Sequence, residues 1–297
     1  MNSNANPRRI GQGVAQRNSQ TPSQSQVPAI TTPDGKDIRI LASGISTLPD
    51  GVVVDTRPGK GQIYVTCMGK STATNDGHLV RAAGDGTGVE VIVPDGVTLT
   101  PKQLVIDTTS ERLYGADREG MRVMWCALDG SGVETLVCNG ETDEDRKDAT
   151  RHCGASKGRQ GRILHANIDI PAGQTPATRT DIQTLYAHLP DLELHTATQT
   201  LYWTDRGDPS LGNTLNRADV AAPLAPNDVA AARGPSKDTI VAGKFHEAIG
   251  LSLDLPGRRA FVADLNGSVG AVDLDSGRKE VLIEDAGTVT GIVYCEA

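Results

Sequence analysis

The sequence predicts an all-β fold: a six-bladed β-propeller whose blades are four-stranded antiparallel sheets. Three observations lead there. Glycine is abundant, at 33 of 297 residues, while aromatic residues make up only 3%. The apolar runs are short, so turns and short strands are expected in place of long helices. An aromatic residue inside a β-rich run recurs at Tyr64, Tyr114, Tyr202 and Phe261, with spacings of about 50, 88 and 59 residues, which fit a repeat of roughly 40–50. Asp-Gly turns also stand between β-rich runs, as at Asp129-Gly130, and that pairing is the strongest local hairpin signal.

The strands of each repeat follow in order. Innermost strands are expected at 51–55 (GVVVD), 103–107 (QLVID), 249–254 (IGLSLD) and 290–294 (TGIVY). Second strands carry the aromatic marker, at 62–66, 112–117, 200–205 and 259–264, and third strands follow at 78–81, 122–125, 162–165, 214–217 and 268–272. The long gap between Tyr114 and Tyr202 holds one blade without its marker. Only its outer half is visible, at 162–165 and 181–186, so this third blade is read as truncated. A last blade is divided between the ends, with its inner strand at 290–294 and its outer hairpin at 27–43. That pairing of N- and C-terminal segments would close the ring and remove free sheet edges. Residues 1–26 are polar and acid-free and carry Arg8, Arg9 and Arg17. They are read as a disordered tail ahead of a propeller spanning 27–297.

Charge and motifs narrow the function. With 29 Lys+Arg against 37 Asp+Glu, the formal charge is −8, which argues against nucleic acid as a partner. No apolar run of about 18 residues is present, so no membrane partner is expected. The five cysteines are widely spaced and form no CxxC, which speaks against a disulfide framework or a zinc knuckle. With no apolar segment near the start, a cytoplasmic setting is expected. The glycines of Gly84-Asp-Gly-Thr-Gly88 separate two β-rich runs, so they are read as a hairpin turn and not as a dinucleotide fingerprint. No cofactor is therefore implied. The inner strands are mostly Val, Leu and Ile, which leaves no oxygen cage for calcium, and no histidine pair has metal-ligand spacing, so no metal site is expected.

Loops that join second to third strands gather on one face of a propeller. Here they bring together Lys70, Arg118, Glu119, Arg206, Asp208 and Asn266, and the connection into the short blade adds Arg151 and His152. Arg118 and Arg206 are the candidates for polarising a carbonyl or enolate, because a guanidinium binds such groups in a bidentate fork. His152 and His195 are candidate proton shuttles. His195 stands where other blades have Asp55, Asp107 and Asp254, so it is equally a turn cap. Lys70, Glu119, Arg151, Asp208 and Asn266 are candidate ligand contacts. The plainer reading of all of them is a solvated rim with salt bridges between blades.

The run Leu201-Tyr-Trp-Thr-Asp205, with the stretches 117–124 (DREGMRVM), 162–176 (RILHANIDIPAGQTP) and 202–208 (YWTDRGD), resembles the YWTD β-propeller family known from lipoprotein-receptor ectodomains. Within that family it is most similar to single-domain fungal members. The resemblance implies six blades, with Asp117, Asp205 and Asp264 linking neighbouring blades. Cys67 stands in the equivalent place of the first blade. It further implies a setting in secondary metabolism, where some relatives guide cycloaddition of reactive intermediates and others carry a hydroxyacyl-CoA dehydrogenase label. Two readings follow. One is a cofactor-free accessory or cyclising protein that holds a small organic metabolite in the funnel. The other is a scaffold that binds a protein partner. A metal-dependent lactonase and a dehydrogenase-like enzyme stand behind both.

Overall fold

Strands that are apolar on both faces need a neighbouring sheet on each side, and stacked blades supply it. The computed structural model describes residues 9–16, 27–42, 45, 47–142, 144–145, 163–186, 191–207, 212–221 and 237–296. In chain order come β1 (Arg9–Gln16), β2 (Val27–Thr31) and β3 (Ile38–Ile40). A first blade holds β4 (Pro49–Asp55), β5 (Gln62–Cys67), β6 (Gly77–Ala83) and β7 (Glu90–Thr98). A second holds β8 (Pro101–Asp107), β9 (Arg112–Asp117), β10 (Arg122–Ala127) and β11 (Glu134–Cys138). A pair follows, β12 (Ile163–His165) and β13 (Gln183–Tyr186). Then come β14 (Leu192–His195), β15 (Thr200–Asp205), β16 (Thr214–Asp219) and β17 (Ile240–Ala242). The last blade holds β18 (Ala248–Asp254), β19 (Arg259–Asp264), β20 (Val269–Asp273) and β21 (Lys279–Ile283), and β22 (Thr288–Glu296) ends the series.

Four blades of four consecutive antiparallel strands are thus complete among the described residues, where the sequence predicts six. A fifth four-stranded sheet has the order β22-β1-β2-β3, and β12–β13 stand alone as a two-stranded sheet. The stretch from which its inner strands would come lies largely outside the described residues. In the mixed sheet, Arg9 faces Glu296 and Gly11 faces both Tyr294 and Thr31. β1 lies inside the segment 1–26 that composition marks as a tail. Backbone pairing needs no apolar side chains, so a polar segment can fill a ladder position between two strands.

The core lies between blades. Successive residues of a strand point to opposite faces, so Val53 packs with Leu104 and Leu113 of the next blade. Its neighbours Val52 and Val54 instead pack towards Val293 of β22. A larger cluster joins Tyr202 and Leu215 to Leu251, Leu253 and Val262 of the following blade.

The innermost strands meet through glycine. A Cβ on Gly51 would lie 2.6 Å from the Lys102 carbonyl oxygen of β8, and one on Gly250 would lie 3.1 Å from that of Thr290. At Gly291 the carbonyl oxygen of Asp50 would be only 2.0 Å away. Only a missing side chain lets these backbones approach. At the same position of the other two inner strands stand Gln103 and Asp191, the strands on either side of the two-stranded sheet. Gly291→Ala is expected to cost about 1–3 kcal/mol, as overpacking does. Urea unfolding of the purified variant would measure it.

Candidate functional site

In an antiparallel blade the inner strand starts at the same end as the loop joining the second and third strands. The starts of β4, β8, β14 and β22 therefore lie on the face that carries Lys70, Arg118, Arg206 and Asn266. The inner strands neighbour one another in the order β14, β18, β22, β4, β8, and their first residues form the mouth of the funnel.

The YWTD threonine holds that mouth together. The Asp191 N–H donates to Thr204 Oγ1 (3.2 Å), and Thr204 Oγ1 donates to the Ile249 carbonyl of the next blade (3.2 Å). Thr66 repeats the pattern, accepting from the Gly51 N–H (2.8 Å) and donating to the Lys102 carbonyl (2.7 Å). Thr204→Val keeps the shape and loses both bonds, so a cost of about 1–3 kcal/mol is expected in equilibrium unfolding.

The aspartates of the motif secure the segments leading into and out of each blade's strands. Asp117 accepts from the N–H groups of Thr100 (2.8 Å) and Leu99 (3.2 Å), which lead into β8, and from Arg122 Nη2 (2.6 Å). Asp264 accepts from the Ser268 N–H (3.0 Å) and the His246 N–H (3.3 Å), and Asp205 accepts from the Gly207 N–H (2.6 Å). Cys67, in the corresponding place of the first blade, is fully buried. Burial pushes its thiol up to about 12, so it acts there as a small apolar side chain.

Three carboxyl groups dominate the funnel mouth. Asp191 is buried, and its Oδ2 accepts from the Leu251 N–H of β18 (2.8 Å), while Oδ1 accepts from the Leu192 N–H (2.9 Å). Glu193, two residues along the same strand, accepts from the Leu253 N–H at 2.8 Å. Both carboxyls thus point at the next inner strand and bridge it by side chain. Burial raises Asp191 to about 8, against the pull of its two N–H donors and with help from the nearby charges of Glu193 and Asp50. Burial likewise raises Glu193 to about 7. Asp50, buried at the start of β4, is paired with Lys102 Nζ at 2.9 Å. Near neutral pH the site therefore holds carboxylic acids able to donate a proton, beside one carboxylate neutralised by lysine.

The residues singled out from sequence divide into groups. Arg118 and Arg206 sit on the rim of this face, but each already has a carboxylate. Arg118 Nε donates to Glu119 Oε1 at 2.6 Å, and Arg206 Nη2 pairs with Glu247 Oε2 at 2.7 Å. Glu119 also accepts from the Thr100 hydroxyl. Lys70 and Asn266 are exposed; the Lys70 N–H is bound to Asp76. His195 is not with them. It ends β14, opposite Thr200, whereas Arg206 follows the other end of β15, about 17 Å away at ~3.4 Å per residue. His195 Nδ1 meets Thr198 Oγ1 at 2.8 Å, which closes the turn on the opposite face. Its expected grouping with Arg118 and Arg206 is corrected accordingly. Arg151, His152 and Asp208 lie outside the described residues.

Asp191, Glu193, Asp50 and Lys102 do not appear among the sequence candidates. The available signal was position: Asp191 and Gln103 interrupt a glycine that recurs in the other inner strands. Gly84–Gly88 do form a hairpin turn between β6 and β7, with the Gly86 N–H bonded to the Ala83 carbonyl at 2.8 Å.

No model of a known protein family matches the chain. A protein of Pyricularia oryzae named low-density lipoprotein receptor-related protein 1 is 40% identical over 88% of this chain and 89% of that protein. A Cochliobolus heterostrophus protein named 3-hydroxyacyl-CoA dehydrogenase-like protein LAM1 is also 40% identical, over 80% of this chain but only 54% of its own length. Among solved structures, a chain of the nidogen/laminin complex superposes with a TM-score of 0.67 at 14% identity, covering 96% of this chain and 98% of that one. TolB from Acinetobacter baumannii gives 0.56 at 14% identity, over 96% and 66%. These structural likenesses establish the propeller architecture.

Proposed function

Because this chain belongs to the same family as the Pyricularia oryzae protein named low-density lipoprotein receptor-related protein 1, with a β-propeller of the low-density-lipoprotein-receptor type, we propose that it holds a small oxygenated metabolite at the funnel mouth and tailors it without a cofactor. The setting we infer is fungal secondary metabolism, and the step is a cyclisation or proton-assisted rearrangement. We also infer that six blades close into a ring through the β22-β1-β2-β3 sheet, with β12–β13 as the reduced blade.

The observation that carries this reading is the pair Asp191 and Glu193. A carboxylic acid kept protonated near neutral pH can donate a hydrogen bond or a proton to a carbonyl as charge develops on it. A mouth that fixes one conformer adds the advantage of orientation. Arg118 and Arg206, each balanced by a glutamate, are assigned to the rim, where they shape access. The dehydrogenase label of the second relative finds no support in Gly84–Gly88, which turn between two strands.

The test is metabolite profiling of the source organism with and without the gene, complemented by wild type or by an Asp191→Asn/Glu193→Gln variant. Loss of one compound family, restored by wild type and not by a folded double variant, is the expected result. An unchanged profile with the protein present would overturn the reading and favour a protein-binding scaffold.

A further inference from the structure

A second site lies away from the funnel. A cavity of about 430 Å³ opens between the first two blades and the loop at 175–177, a size that accommodates a small organic ligand. Val97 near the end of β7, Leu99 just after it, Met121 from the β9–β10 turn, and Ala177 give it apolar walls, and Asn75, Thr135 and Thr175 give it polar ones. Two charged side chains reach it, Arg122 and Glu141, together with the Cys138 thiol.

Arg122 is held rigidly. Its Nη2 donates to the Val97 carbonyl (3.1 Å) and to Asp117 (2.6 Å). Its Nε is buried without a partner, and Nη1 makes no hydrogen bond among the described residues. Gly120 makes the arrangement possible: a Cβ there would meet Asp117 Oδ2 at 2.0 Å and Arg122 Nε at 3.0 Å. The guanidinium is thus a fixed set of donors whose charge is already balanced by Asp117. Glu141 is exposed at the edge and adds a negative charge. A ligand acid would gain little from Arg122 and would be repelled by Glu141. A neutral carbonyl on Arg122, with a hydroxyl towards Glu141, satisfies both.

We propose that this cavity binds a neutral hydroxy-lactone or hydroxy-ketone, independently of the funnel carboxyls. The probe is a bicyclic hydroxy-lactone of the dihydroisocoumarin type, titrated calorimetrically into the full chain beside its ring-opened hydroxy acid. The lactone is expected to bind, and the acid at least about tenfold more weakly, with Glu141→Gln narrowing the difference. Arg122→Gln risks the fold through Asp117, so the deciding variant is Ala177→Trp. Ala177 is exposed, so the indole would fill the cavity while leaving the thermal midpoint unchanged. It should abolish lactone binding, whereas Asp191→Asn/Glu193→Gln should leave binding intact. The proposal is overturned if no binding occurs at millimolar lactone, if the acid binds as well as the lactone, or if Ala177→Trp binds normally. Loss of binding in the funnel variant instead would place the ligand at the mouth and overturn this site alone.

Discussion

Trp203→Ala is expected to lower stability by about 3–5 kcal/mol, the range for removing a large buried aromatic side chain. Trp203 is 1% exposed and packs with Ile163 of β12 as well as with Leu201 of its own strand. It is therefore the apolar plug between the two-stranded sheet and the blade that follows. On the other side, Arg179 anchors the loop between β12 and β13 to the second blade by donating to the Leu136 carbonyl at 2.7 Å. Among the described residues β12 and β13 pair only with each other, so no further strand of that sheet offsets the lost packing. The thermal midpoint should fall by roughly 5–8 °C for a chain of this size. A fall of less than about 3 °C, measured by calorimetry, would mean that the sheet is held mainly by other contacts.

The second large effect is a decline in stability as pH rises from about 5 to 8. Asp191 and Glu193 sit near 8 and 7 when folded, against ordinary values of 3.8 and 4.5. Between those limits the native state holds protons that the unfolded chain has released. The stabilisation is complete below the unfolded values and is lost as pH passes through the folded ones. Each such proton sets a limiting slope of about 1.4 kcal/mol per pH unit. Carboxylates lowered by their partners, such as Asp55 beside Arg57 and Asp181 beside Arg179, act in the opposite sense and only on the acid side. Denaturant unfolding at several pH values should therefore fall through this window for wild type and be flatter for Asp191→Asn/Glu193→Gln. Equal slopes in the two proteins would remove the pair as the source.

Much of this architecture is legible in the sequence, because strand and turn chemistry are local. Residues 200–205 announce a second strand by their aromatic marker, and Asp129-Gly130 announces a hairpin. The funnel is less legible because β14 inverts the usual alternation. Leu192 and Leu194 are 42% and 41% exposed, while Asp191 is 8% exposed. A reading that sends leucines inward places these carboxyls in solvent. Their burial depends on where the neighbouring inner strand offers N–H groups, which is a property of blade packing. β1 escapes notice for a related reason: its neighbours, and not its own composition, make it a strand. Glu119 adjoins Arg118 in the sequence, but the pairing of Arg206 with Glu247, 41 residues away, depends on how the blade's loops meet.

The sheet shared by β22 and β1 has a kinetic consequence. A hairpin inside a blade closes a loop of about ten residues, whereas Arg9 opposite Glu296 closes one of roughly 290, or about five doublings. At about 0.6 kcal/mol per doubling, that closure costs only about 3 kcal/mol more in chain entropy. The expense lies in time: such non-local pairing is slow to find. Blades built from consecutive strands can form early, each on its own local contacts, and the mixed sheet would then be the final event of folding and the first to give way.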